Sequence, residues 1–338
     1  MRKGALVRWA RYGALGVAIA AVAFASLLFL PPLRQANVEY RVAKGSTLAR
    51  VATDLKRERV VSSSKVFSLY MRIIGADRAI KPGLYAFSPK ISPVDVARKL
   101  IRGDIEAEKV VIPEGRTARQ IAQILEAHGI LSAGDFVREV LNPKLAASLD
   151  IPSTSCEGFL YPDTYFLEKN SNADEVIRRM VGNFRTTLER VRGAQAGSLD
   201  TAALYQKVIL ASIVEREYRL TEDAPLIASV FYNRLAKKMP LQSCATVVYV
   251  LTEHLGRPHP SVVYYNDLKI KDPYNTYINR GLPPGPISNP GEVSLRAAFD
   301  PAATDYLYFR LDESGSGKHR FSRTLDEHND VALIPKGL

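Results

Sequence analysis

The hydrophobic positions of this chain follow three patterns. Near the N-terminus an uncharged apolar run extends from Tyr12 to Leu30 and stops at Pro31-Pro32. Through the middle, apolar residues recur every three or four positions between Gly, Ser, Thr and Pro breaks, which predicts short amphipathic helices. The stretch Lys207-Val-Ile-Leu-Ala-Ser-Ile-Val-Glu-Arg-Glu217 is apolar on nearly every side and closes in acids. Leu204, Val208, Ala211 and Glu215 share one stripe of that helix. A carboxyl ending an apolar stripe is desolvated, so its pKa rises and it becomes a candidate general acid. A plain core helix whose last turn emerges into solvent has the same pattern.

The first run is long enough to cross a bilayer, which takes ~20 apolar residues. Arg2, Lys3, Arg8 and Arg11 lie on its N-terminal side. The N-terminus is therefore expected in the cytoplasm and residues 33–338 outside the membrane. A cleaved signal peptide is the alternative, because Ala23-Phe-Ala25 resembles a small-x-small cleavage site. The run exceeds the usual signal core of ~7–15 residues, so an uncleaved single-pass anchor is expected.

Beyond the anchor, Asn37 to Val42 alternates like a strand. Lys44-Gly-Ser-Thr47 then starts a helix with Leu48, Val51, Ala52 and Leu55 on its apolar face. Ser62-Ser-Ser64 caps a helix from Val66 to Ile74, Lys81 to Phe87 reads as turn and strand, and Ser92-Pro-Val-Asp95 opens another helix. The pattern then repeats. Val42-Ala-Lys-Gly45-Ser-Thr47 aligns with Ile112-Pro-Glu-Gly115-Arg-Thr117, and the register continues through Leu55 and Leu125 to Ser62 and Ser132. Each copy reads strand, Gly turn, helix, short apolar segment, helix: a binding or spacing module, or a duplicated scaffold.

From Cys156 the chain changes character. Glu157-Gly-Phe-Leu-Tyr-Pro-Asp-Thr-Tyr-Phe166 is an aromatic, rigid loop of the kind that lines sites or packs on a core. Asn172 caps a helix to about Val191. Thr221-Glu-Asp-Ala caps another to about Lys238, and the helix dipole accounts for Glu222 and Asp223. Leu241 to Tyr249 starts a short helix, and Tyr274 to Gly291 is a stiff Pro/Gly/Asn passage suited to a groove wall. After a brief helix at Ser294–Phe299, Tyr306–Phe309 and His319–Phe321 form a strand pair around Gly315-Ser-Gly317. The fold class is α+β.

The net charge of +11 is partly the N-terminal cluster, and no Lys/Arg run with interleaved aromatics appears, so nucleic acid is excluded as a partner. Cys156 and Cys244 make an even pair, which in an exported chain permits a disulfide or two separate thiols. His128, His254, His259, His319 and His328 form no metal-binding pattern, and neither a nucleophile elbow nor a phosphate-cradling Gly loop occurs. No metal or cofactor is expected. What remains is carboxylate chemistry among Tyr, Asn, Gln and Thr, which suits a sugar polymer.

Glycoside hydrolysis uses two carboxyl groups, about 5–5.5 Å apart for retention or ~6.5–9.5 Å for inversion. Glu217 lies about 200° around the helix from Glu215, at ~100° per residue, so the two do not share a face. Glu157 and Asp163 are distant candidates for a partner. A single acid suffices where the nucleophile belongs to the substrate. Murein offers one, since the C6 hydroxyl of N-acetylmuramic acid can attack its own C1 and leave a 1,6-anhydro end.

The chain resembles the endolytic murein lytic transglycosylases, the MltG/YceG-like proteins, over nearly its full length. The resemblance is carried, in order, by Glu157–Tyr165, Leu210–Glu217, Ala228-Ser-Val-Phe-Tyr-Asn-Arg-Leu235, Leu241-Gln242, Tyr274-Asn-Thr-Tyr277, Gly281-Leu-Pro-Pro-Gly285 and Tyr306-Leu-Tyr-Phe309. It implies an inner-membrane protein of one span, with its catalytic domain in the periplasm, that cleaves nascent glycan strands internally and limits their length. The organisation it implies is a cytoplasmic N-terminus and anchor at 1–32 and a LysM-like module at 37–105. A second LysM-like repeat with connecting helices follows at 106–192, then the catalytic domain at 198–338. Peptidoglycan strands are the implied substrate and peptidoglycan synthases candidate partners. Glu215 matches the family's catalytic acid and Glu217 a second family Glu. Gln242, Tyr274, Asn275, Thr276, Tyr277 and Glu157 are candidates for substrate contact. Relatives often carry Leu-Gln-Thr-Asp-Pro-Thr-Val where this chain has Leu241-Gln-Ser-Cys-Ala-Thr-Val247. A Cys156–Cys244 disulfide tying the Glu157 loop to the groove is the expectation that follows. The rival functions are a non-catalytic murein-binding scaffold and a hydrolase using Glu157 or Asp163.

Overall fold

The structure is a computed structural model and describes residues 2–193, 200–312 and 315–330. The chain divides into two compact units, Met1–Glu108 and Lys109–Leu338.

The first unit opens with helix α1, Arg2–Phe29. Among the described residues no helix is both long and apolar enough to cross a membrane. The side chains of residues 1–14 lie outside those described, and with them the start of the expected span. Strand β1 (Val38–Val42), helices α2 (Leu48–Arg57) and α3 (Ser64–Ile73), strand β2 (Gly83–Phe87) and helix α4 (Pro93–Arg102) follow. β1 and β2 pair antiparallel, with Tyr40 opposite Tyr85. Their inner faces and the apolar stripes of α2, α3 and α4 meet in a core of Val51, Leu55, Phe67, Tyr85, Phe87, Val96 and Leu100.

The second unit begins with the same sequence of elements: β3 (Glu108–Val111), α5 (Ala118–Ala127), α6 (Ala133–Val140), β4 (Thr164–Leu167) and α8 (Ala173–Arg192), with α7 (Pro143–Ser148) inserted. β3 pairs with β4. The repeat is chemical as well as topological. Thr47 and Thr117 cap α2 and α5 through the same side-chain acceptor. Gly45 and Gly115 take the left-handed turn before each cap, at φ 81° and 70°. Arg59 and Gly129 take it after each helix, at 55° and 67°. The repeat slips by one position at the next helix, because α3 is capped by Ser63 where the alignment predicts Ser62, against Ser132 for α6.

The copies differ in what they bury. The first encloses its own core. The second opens its core to α9 (Thr201–Val214), α10 (Ala224–Ala236) and α12 (Glu292–Phe299), so Leu125, Phe136, Phe184, Ile213, Ile227 and Leu295 belong to one apolar cluster. α9 sits at its centre, and every residue from Val208 to Val214 is buried. Helix α11 (Cys244–Tyr249) runs into a π-helical turn at Val250–His254. Strands β5 (Tyr308–Leu311) and β6 (His319–Ser322) pair antiparallel with Leu311 opposite His319, and α13 (Leu325–Asp330) follows.

Candidate active site

α9 ends at Val214, and the turn after it delivers Glu215 and Glu217 to different surroundings. Glu215 accepts the Gly291 amide at 2.9 Å and the Ser294 hydroxyl at 2.5 Å, and Tyr218 donates to its other oxygen at 3.4 Å. Gly291 is the N-cap residue of α12, and Glu215 accepts its otherwise unpaired amide at an N-terminus that favours negative charge. Burial nevertheless pushes the Glu215 pKa up to about 7; the bonds from Ser294 and Gly291 pull against it, and the nearby charge of Glu114 adds to it.

Glu217 faces a cavity of about 500 Å³. Ser243 donates its hydroxyl to the Glu217 carboxylate. Burial raises the pKa of Glu217; the bond from Ser243, the charge of His319, the Ala245 amide and the charge of Arg216 oppose the rise. Arg216, Arg219, Arg234 and Arg310 line the same cavity with Gln242, Cys244, Tyr277, Tyr308 and His319. Among the described residues on its wall, Glu217 is the sole carboxylate. The apolar stripe in the sequence singles out Glu215. The helix ends one residue before it, but Glu215 keeps helical backbone (φ −53°, ψ −31°) and its amide still bonds to the Ala211 carbonyl, so the stripe reaches Glu215 and not the cavity.

Of the residues expected to touch substrate, Gln242 and Tyr277 join Glu217 on the cavity wall. Gln242 is held with φ at 52°, and Arg234 donates to its side-chain oxygen at 3.2 Å. Tyr277 contacts the Cys244 sulfur through its hydroxyl at 3.0 Å. The others lie elsewhere. Asn275 is fully buried: its amide donates to the carbonyls of Leu268 and Ile270, and its oxygen accepts the Tyr277 amide. Thr276 is 1% exposed and bonded to Ser243 and Thr246. Both brace the groove wall, with no free group to offer a sugar. Tyr274 stacks on Tyr249 with 5.1 Å between ring centroids.

Glu157 holds the fold together. Its carboxylate accepts the Ala118 amide at the start of α5, at 2.9 and 3.0 Å, and the Asn289 side-chain amide at 2.7 Å. Burial is the main cause of its pKa rising to about 8. Asp163 is exposed and pairs with Asn183 at 3.1 Å. Neither acid lines the cavity of Glu217.

The expected disulfide does not form. Both cysteines are free: Cys156 is buried in the core, where its amide donates to Val140, and Cys244 is exposed beside Tyr277. The cavity also draws on residues with little signal in the sequence. The helix dipole accounts for Asp223 in the sequence. The structure places it in a 3₁₀ turn, Thr221–Asp223, at the start of α10, 6% exposed and bonded to His319. Ser243 and Arg234 carry no signal beyond their place in or beside the family motifs. Among the described residues no group of three or more His, Cys, Asp or Glu side chains is placed to hold a metal.

Residues 40–332 match the model of the YceG-like family. An endolytic murein transglycosylase of Bacillus subtilis is 32% identical over 309 residues, 87% of this chain and 83% of that protein. A protein of the same name from Streptococcus pneumoniae is 27% identical over 333 residues, 90% of this chain and 59% of the relative. A crystal structure of a yceG-like protein from Listeria monocytogenes superposes with a TM-score of 0.58 at 34% identity, over 88% of this chain and 100% of that one.

Proposed function

We propose that this chain, which belongs to the YceG-like family, is a peptidoglycan lytic transglycosylase: a lyase that cleaves the MurNAc–GlcNAc bond within glycan strands and leaves 1,6-anhydro ends. The observation that carries this reading is the solitary Glu217 on the wall of an arginine-lined cavity. Burial favours the protonated carboxyl of Glu217, the form that can donate. Glu217 gives its proton to the leaving glycosidic oxygen as the bond to C1 breaks. The resulting carboxylate takes the proton of the muramyl C6 hydroxyl as O6 bonds to C1, and the side chain returns to its starting state. Water enters neither step, so a second carboxylate to activate it is unnecessary. The arginines match the lactyl and peptide-stem carboxylates that distinguish murein from neutral glycans.

The homologues named endolytic murein transglycosylase support the substrate and the reaction class. Cleavage inside nascent strands, and through it a limit on their length, fits a chain anchored in the membrane from which those strands emerge. In this reading α1 crosses the inner membrane with the N-terminus in the cytoplasm, and the remainder lies in the periplasm. The first unit acts as a LysM-like glycan holder. A groove of about 490 Å³ between the β1–α2 turn, with Ser46 and Thr47, and the segment of Asp77 and Arg78 supports that role.

The test is product analysis of full-length protein on uncrosslinked glycan strands. Anhydro ends that vanish in Glu217→Gln support the assignment. Reducing ends would mean hydrolysis, and intact strands would mean a scaffold that only binds.

A further inference from the structure

A buried acid–imidazole pair stands against the cavity of Glu217 without a role in the chemistry above. His319 and Asp223 have side chains 5% and 8% exposed. One oxygen of Asp223 accepts the backbone amide of His319 at 2.8 Å and its ring Nδ1 at 2.9 Å. Nδ1 therefore carries a proton, and Nε2 is the nitrogen left to gain or release one. The ring is also fixed by Phe309 and Phe321, with centroids 5.7 and 6.4 Å away. It lines the same cavity as Glu217. Such a pair is a weak way to stabilise a core, since apolar residues of the same volume serve as well. A carboxylate that locks one imidazole nitrogen is a recurring means of making that ring basic and aiming it.

We propose that His319, held by Asp223, is the positioning residue of this site: as imidazolium it stabilises the Glu217 carboxylate formed after proton donation and holds it ready to act as base. His319 keeps its own protons throughout, so the proton still passes only from the C6 hydroxyl through Glu217 to the leaving oxygen. The proposal rests on Glu217 as the acid/base. Burial raises the pKa of Glu217, and the charge on His319 acts in the opposite direction. The charged groups around the pair come from every neighbouring element: Arg216 and Arg219 after α9, Arg234 on α10, Arg310 on β5 and His328 on α13.

The test compares wild type, H319Q, D223N and E217Q as full chains in mild detergent, counting anhydro ends across a pH series. H319Q is expected to lower kcat on the order of tenfold, less than the ~10²–10⁴ of a direct proton donor. It should also move the alkaline limb of the pH profile upward, because Glu217 loses the charge that made it more acidic. D223N, which keeps both hydrogen bonds, should shift the limb in the same sense by less. A structural defect would lower melting temperature without moving the limb. An unmoved limb in a folded H319Q overturns the assignment, and should H319Q fail to fold, an unmoved limb in D223N overturns it equally. Anhydro ends surviving in E217Q would instead overturn the reading of Glu217 itself.

Discussion

Glu215 reaches across the fold to accept the Gly291 amide at 2.9 Å, and so caps a helix, α12, to which it does not belong. Two residues later Glu217 turns to the cavity and to Ser243. The difference separates two adjacent acids by experiment. Glu215→Ala should cost about 1–2 kcal/mol, the range for losing a cap, read as a lower urea midpoint with residual activity. Glu217→Gln should leave the midpoint nearly unchanged and abolish anhydro-end formation.

The raised pKa values of Glu215, to about 7, and Glu157, to about 8, set a pH dependence of stability. In both, the folded state favours the protonated carboxyl. The stability they contribute is therefore full below the ordinary carboxylate range and is lost as pH rises through about 7 and about 8. Melting temperature is expected to fall between mildly acidic and mildly alkaline buffer. Glu215→Gln, which mimics the protonated form, should flatten that slope in a calorimetric series.

Asn289 ties three segments together while 1% exposed. Its oxygen accepts the amides of Gly158 and Leu160 at 2.9 and 2.8 Å, and its nitrogen donates to the Arg116 carbonyl and Glu157 at 2.9 and 2.7 Å. Asn289→Ala strands several buried groups at ~1–3 kcal/mol each, and a loss of about 3–5 kcal/mol in chemical denaturation is expected.

Gly158 stands where that loop passes Pro286. Its φ is +88°, and a Cβ there would lie 2.4 Å from the Pro286 ring. Gly158→Ala combines left-handed strain with overlap against a rigid ring, so a loss of at least about 2 kcal/mol is expected, measured as a fall in Tm.

The two thiols should behave independently. Burial pushes the Cys156 thiol up to about 12, whereas Cys244 is exposed. A thiol-alkylating reagent is expected to modify Cys244 in the native protein and Cys156 only after denaturation, as read by intact mass. A native chain that takes up no label would restore the disulfide.

What the sequence by itself determined is local. The apolar wrap of α9, the paired caps at Thr47 and Thr117 and the glycine turns before them depend on neighbours within one helical turn, so periodicity and residue type suffice. The repeat is legible for the same reason, down to a one-residue slip at Ser63 that alignment alone places at Ser62. The family motifs lead to the turn that carries both acids, and the proposal of Glu217 comes from the cavity it lines. Which of Glu215 and Glu217 meets the cavity depends on where α9 stops and on Gly291 and Ser294, which lie far along the chain. Asn275 and Thr276 read as sugar contacts because they are polar, yet the fold uses their hydrogen bonds on its own backbone and hydroxyls. Asp223 and His319, 96 residues apart, meet only because β6 packs beside the turn that begins α10. Polar side chains acquire their roles from partners distant in sequence, and only the tertiary structure decides those.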